Sequence, residues 1–151
     1  LIKRINVAST SILKLGWVSN HSIDDFFYFF SGGETGIKGY TFYEQSLTGA
    51  SQIIFTNIIR FPIFIEKNYK FMHLSMQNLV IGIVNQFGGA PNNISQFIED
   101  KDYRISSGIE ARMNGFSFYS YPTAIEYSCH IPILDDSEYK PKQYLKILFN
   151  F

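Results

Sequence analysis

The chain has 151 residues, enough for one domain, with 13 basic and 13 acidic side chains and a formal net charge of 0. That balance leaves no basic footprint for nucleic acid, and the single Cys129 excludes an intrachain disulfide framework. Aromatic residues make up 17% of the chain and charged residues only 17%, low against the roughly 25% charged usual in soluble domains. No apolar run approaches the roughly 20 residues of a membrane helix, an absence that a membrane barrel shares because its strands alternate.

The chain starts at Leu1 without a charged-then-apolar leader, so it is expected to be a fragment or a processed chain. Residues 5–18 put Ile5, Val7, Leu13, Leu15 and Trp17 on one parity and Asn6, Ala8, Thr10, Lys14 and Gly16 on the other. That period of two predicts a strand with one apolar face, diluted by Ser9 and Ser11. Residues 20–25 are polar and turn-like. Then comes Phe29-Phe30-Ser31-Gly32-Gly33-Glu34-Thr35-Gly36-Ile37-Lys38-Gly39-Tyr40, with four glycines in eight residues. Such a run is neither regular helix nor strand; it reads as a folded loop whose backbone approaches something closely. A phosphate-cradling loop fails, since Ile37 precedes Lys38 and Gly39 follows it. A dinucleotide fingerprint fails on the spacing of Gly33, Gly36 and Gly39 and on the lack of an amphipathic helix behind them. A hairpin turn with spare glycines is the plain alternative.

Residues 53–64 alternate again, with Asn57 an exception on the apolar face, and Pro62 is expected to mark the strand's end. Residues 66–70 read as a polar turn, 71–87 as a long strand and 88–102 as a loop. Residues 103–113 are the cleanest strand: Tyr103, Ile105, Ile109, Ala111 and Met113, with Ser107 among them, oppose Arg104, Ser106, Gly108, Glu110 and Arg112. Asn114-Gly115 is a strong hairpin signal. Phe116, Phe118, Tyr119 and Tyr121 crowd that turn, residues 123–133 alternate, 135–142 form a charged loop, and the last strand runs from 143 to the terminus.

About six strands of about ten residues result, with no convincing helix. The polar face carries full charges (Lys14, Arg60, Arg104, Glu110, Arg112, Glu126, Lys146) and the apolar face almost none. A soluble half-buried sheet shows the same alternation. Strand length suits a tilted membrane crossing, and the aromatic cluster at a hairpin suits an interfacial girdle. The pattern therefore points to a membrane barrel, with a soluble sandwich or barrel open beside it.

Enzyme signals are weak. Ser128, Cys129 and His130 are neighbours with Asp135 near, but successive strand residues point to opposite faces, so Cys129 shares its face with no activating base. His21, His73 and His130 have no metal-ligand spacing, so no metal site, cofactor or catalytic residue is expected. Asn20-His21-Ser22 and Asn93-Ile94-Ser95 fit the glycosylation pattern, which a bacterial context would make a chance match.

Phe29 to Tyr40 resembles the lumenal-loop motif of the bacterial surface-antigen superfamily, the outer-membrane assembly and secretion barrels of the BamA and FhaC type. Its motif is an aromatic, Gly-Gly, a few residues, then [VILM]-[RK]-G-[FY]; here Gly32, Gly33 and Gly36 lead into Ile37-Lys38-Gly39-Tyr40. Arg60-Phe61-Pro62 matches the end of the next strand, and Phe151 the terminal aromatic, with Phe149 and Phe151 serving as an assembly signal. The stretches from Gly36 to Tyr40, around Arg60 to Phe64 and from Phe116 to Thr123 look most similar to barrels fused to TolB-like propellers. The resemblance implies a transmembrane antiparallel β-barrel of sixteen strands, of which residues 1–151 hold the last six, with residues 19–52 folded inward as a lid. It implies a bacterial outer-membrane location, contact with outer-membrane lipid, and work in protein or biopolymer translocation or membrane insertion on client proteins or periplasmic domains of the same chain. A barrel that only anchors an N-terminal propeller or surface hydrolase is the alternative, and a soluble barrel binding apolar ligands is the third. Lys38 stands where arginine is commonest, and the usual wall acids are replaced by Ile58 and Gln86.

Three structural expectations follow. The first and last strands should be open edges, since six strands cannot close around a lid. Ile105, Ile109, Met113, Ile125, Tyr127, Leu145, Ile147 and Phe149 should share the lipid face. Lys38, once inside, needs a partner; Glu110 and Glu126 have the right parity, with Arg60 close by and Tyr40 packing beside the cation.

Overall fold

A computed structural model describes residues 6–18, 25–92, 97, 103–118, 120–134 and 140–149. Nine strands follow in chain order: β1 (Ala8–Trp17), β2 (Phe29–Phe30), β3 (Thr48–Gly49), β4 (Ser51–Phe64), β5 (Tyr69–Phe71), β6 (Leu74–Gly89), β7 (Arg104–Ser117), β8 (Tyr121–Pro132) and β9 (Lys142–Phe149). Seven of them make one antiparallel sheet in the order β1-β4-β6-β7-β8-β9, with β5 added beside β6, while β2 and β3 pair separately. The fold is therefore all-β, and the sheet is not closed: among the described residues β1 and β9 each have one neighbour. The expected six strands become seven because β5 has three residues, too few to show a period.

Up to the register shifts at Pro62/Phe64 and Met76/Asn78, even-numbered residues of the long strands share one face, since the pairs across the sheet match parity there: Arg60 with Gly82, Gly82 with Glu110, Glu110 with Ser128, Ser128 with Tyr144. The segment between β1 and β4 folds over this even face. Its described part includes β2, β3 and two short 3-10 turns, Asp25–Phe27 and Gln45–Leu47. Ile37, Tyr40 and Leu47 from this lid pack with Ile54 of β4 as the buried core; each such aliphatic side chain contributes about 1.5–3 kcal/mol by leaving water. Ser51 and Gln52, expected in the lid, belong to β4.

The odd face is bare. Trp17 is 72% exposed, Ile109 62% and Leu145 66%. Met113 and Ile125 lie on the same side by register and are half-buried by their neighbours.

Several boundaries differ from the sequence expectation. Asn114-Gly115 is not a turn: both sit in the β7–β8 ladder opposite Ala124 and Thr123, and the chain reverses between Ser117 and Tyr121, with Phe118 at φ 46°. Continuing the ladder adds pairs out to Ser117–Tyr121 and a 2.6 Å Ser117–Thr123 hydroxyl contact. Gly115 is required for another reason, because a Cβ there would stand 1.9 Å from the Ser75 carbonyl oxygen, beside the register shift between Met76 and Asn78. Pro62 does not end β4, which passes it through an irregularity and reaches Phe64. The polar turn at 66–70 holds the start of β5, and β6 begins at Leu74, after the turn at Met72 (φ 50°). Gly88 and Gly89 extend β6 rather than opening the next loop. Ile5, the two glycosylation patterns, Asp135 and Phe151 fall outside the described residues; so does His21.

Candidate functional site

The glycine run closes on itself before it meets the sheet. Ile37 N donates to Ser31 O at 2.7 Å, Gly32 and Ile37 form a bridge, and Ser31 N donates to Leu47 O at 2.8 Å. Gly39 takes φ 98°, a conformation that glycine adopts at little cost, and packs against Pro132. The result is a compact knuckle that presents backbone groups and one cation to the even face. Gly32, Gly33, Gly36, Ile37, Gly39 and Tyr40 are buried, and Lys38 is half-buried.

The cation and its neighbouring glycines are received by side chains of β6, β8 and β9. From β6, the Gln86 amide reads its backbone: Lys38 N donates to Gln86 Oε1 at 2.9 Å, and Gln86 Nε2 donates to Gly36 O at 3.0 Å and Thr56 Oγ1 at 3.2 Å. From β8, Lys38 Nζ lies 3.4 Å from Glu126 Oε1 and 3.2 Å from Ser128 Oγ. From β9, Tyr144 accepts the Gly39 N–H on its hydroxyl at 2.9 Å and holds its ring 5.9 Å from the ammonium, within cation–π range. Tyr40 points elsewhere: its hydroxyl donates to the carbonyls of Ile105 (2.9 Å) and Leu134 (3.3 Å). At the rim, Lys14 Nζ donates to Thr35 O at 2.9 Å and Lys146 Nζ lies 3.4 Å from Glu34 Oε1. The rim ion pair is half exposed and contributes little.

Lys38 and Glu126 are thus brought together, while Glu110 is engaged by Arg60, whose Nε donates to Glu110 Oε1 at 2.7 Å. That pair spans two strands by crossing over Gly82, where a Cβ would stand 2.8 Å from Glu110 Cγ. Glu110 is 3% exposed, and a buried carboxylate that loses its partner is strongly destabilised. Gly82→Val is therefore expected to lower unfolding stability on the order of 3 kcal/mol, measured by denaturant titration in detergent; an unchanged midpoint would show that the pair does not depend on the strand glycine.

The seam between lid and sheet is polar and incompletely paired. Arg104 Nε, Ser106 Oγ and both ring nitrogens of His130 are buried with no hydrogen-bond partner among the described residues. No group of three metal-ligating side chains occurs among the described residues. Ser128 and His130 lie on the covered face and Cys129 on the bare one. Phe149 is half exposed on the bare face.

Sequence reasoning missed Gln86, Ser128 and Tyr144 as parts of the seat. In the sequence Gln86 stands only as a replaced acid, and its parity with Arg60 and Glu110 is the signal that it faces the loop. Comparison with protein-family models, curated proteins and solved structures finds no match to this chain.

Proposed function

We propose that the chain is wall and lid of a bacterial outer-membrane β-barrel of the assembly and secretion superfamily, and that the barrel works in translocation or membrane insertion of proteins or other biopolymers. The observation that carries this reading is the inversion of polarity. Large apolar side chains stand bare on the odd face, while Glu110, Gln86, Ser128 and His130 are buried on the face under the lid. In water a two-sided sheet keeps its apolar face covered; in lipid the arrangement reverses, and the lumenal face is the polar one. The open edges at β1 and β9 would pair with further strands to close the wall.

The seat of the lid supports a moving part over a permanent plug. Specific bonds hold it at Gln86, Glu126 and Tyr144, while the unpaired groups of Ser106 and His130 favour a hydrated, open seam. Each such buried orphan costs about 1–3 kcal/mol. A barrel that only anchors another domain has no use for a lid that opens, and its display of that domain would be indifferent to unlocking Lys38.

The intact protein should stay with membranes through alkaline carbonate extraction and enter solution with detergent. Recovery in the aqueous phase would leave the soluble-barrel reading in its place.

A further inference from the structure

Three of the residues that spoil the apolar parity in the sequence, Ser11, Asn57 and Ser107, are gathered by the fold into one line with Asn85. Ser11 pairs with Asn57, Asn57 with Asn85, and Asn85 with Ser107. These four side chains form a row across β1, β4, β6 and β7 on the bare face. The row above it is Leu13, Phe55, Phe87 and Ile105; the row below runs Ser9, Ile59, Ile83 and Ile109. Within the row Asn57 Nδ2 donates to Ser11 Oγ at 3.0 Å, and Ser107 Oγ donates to Asn85 Oδ1 at 2.8 Å. The two central asparagines keep unused capacity: among the described residues Asn57 Oδ1 accepts nothing and Asn85 Nδ2 donates to nothing.

We propose that this row is a docking line for a second copy of the same chain, an inference that rests on the membrane-barrel reading. Facing lipid, an unused amide donor and acceptor are costly and seek a partner. What partner they fit follows from their chemistry. All four side chains are neutral and each carries both a donor and an acceptor. The row is therefore complementary to itself and offers no charge to select a different protein. A two-fold contact uses the same patch twice. Because the strands tilt in the membrane, two facing rows cross instead of lying parallel, and the crossing falls on Asn57 and Asn85. There the free Asn85 amide of one copy can donate to the free Asn57 carbonyl of the other, twice by symmetry, inside a ring of exposed isoleucine and phenylalanine. Hydrogen bonds across such contacts favour association in membranes.

The test uses the intact protein in its native membrane, with Cys129→Ser to remove the native thiol. Asn85→Cys should give a disulfide-linked homodimer on mild oxidation, and Leu145→Cys, on the same face at β9, should give little. Asn57→Leu with Asn85→Leu should leave a heat-modifiable folded barrel that dimerises about tenfold more weakly; if that variant does not fold, the cysteine pair decides alone. Equal cross-linking at Asn85 and Leu145, no cross-linking at Asn85, or cross-linking only to a different protein overturns the proposal. A monomer retained in the membrane defeats the second copy and spares the barrel, whereas release by carbonate defeats the barrel reading itself.

Discussion

Lys38→Ala is expected to unlatch the lid while leaving the wall intact. The ammonium donates to Glu126 and Ser128 and sits near the Tyr144 ring. Hydrogen bonds to charged groups contribute about 1.5–3 kcal/mol, and each 1.36 kcal/mol is a factor of ten, so lid opening should rise about 10- to 100-fold. The Gln86 bonds use the Lys38 backbone and survive the substitution, as do both Tyr40 bonds, which is why unlatching and not unfolding is expected. Ser31 is a fully buried lid residue whose hydroxyl accepts from Gln52 Nε2 of β4 at 2.9 Å, so maleimide labelling of Ser31→Cys reads the opening directly. A double-mutant cycle of Lys38→Ala with Glu126→Gln should give a coupling of about 0.5–3 kcal/mol. The same cycle with Glu110→Gln should give almost none, because Glu110 already holds Arg60. Unchanged labelling, or equal coupling to both glutamates, would remove Lys38 as the latch.

Ile109→Arg should sharply reduce membrane assembly, and it separates the membrane reading from the soluble one by magnitude. Ile109 lies midway along β7 and is 62% exposed. On a water-facing surface, an exposed substitution stays within about 0.5 kcal/mol. On a lipid face near the midplane, arginine costs about 2–4 kcal/mol, enough to halt insertion or lower its yield severalfold. Arg104→Ile, on the covered face, makes the reverse exchange; it loses a donation from Nη1 to the neighbouring Tyr103 carbonyl at 3.2 Å and should be tolerated better. The readout is the folded fraction in the membrane, judged by heat-modifiable migration. Equal yields from both variants would overturn the facing assignment.

Local chemistry made several features legible. A period of two needs no tertiary information, because successive strand residues point to opposite sides; Tyr103, Ile105 and Ile109 against Arg104, Ser106 and Glu110 place β7 and its two faces. Four glycines around Lys38 likewise announce a backbone that folds tightly, whatever it folds against. Turn chemistry was less reliable. Asn114-Gly115 carries the strongest hairpin signal in the chain, yet the ladder runs through it, since strand pairing to Ser117 and the close approach of Ser75 outweigh a local preference.

The six long strands, the two faces and the glycine knuckle with its single cation were legible in the sequence, because these depend on neighbours along the chain. Only the tertiary structure decided which glutamate meets Lys38, that Arg60 reaches Glu110 across Gly82, that Gln86 binds the knuckle's backbone, and that Ser11, Asn57, Asn85 and Ser107 fall in one row. The physical reason is register. Parity tells on which side a residue lies, but position along that side is set by how far each strand slides against the next, and a shift of two residues preserves every face while changing every partner.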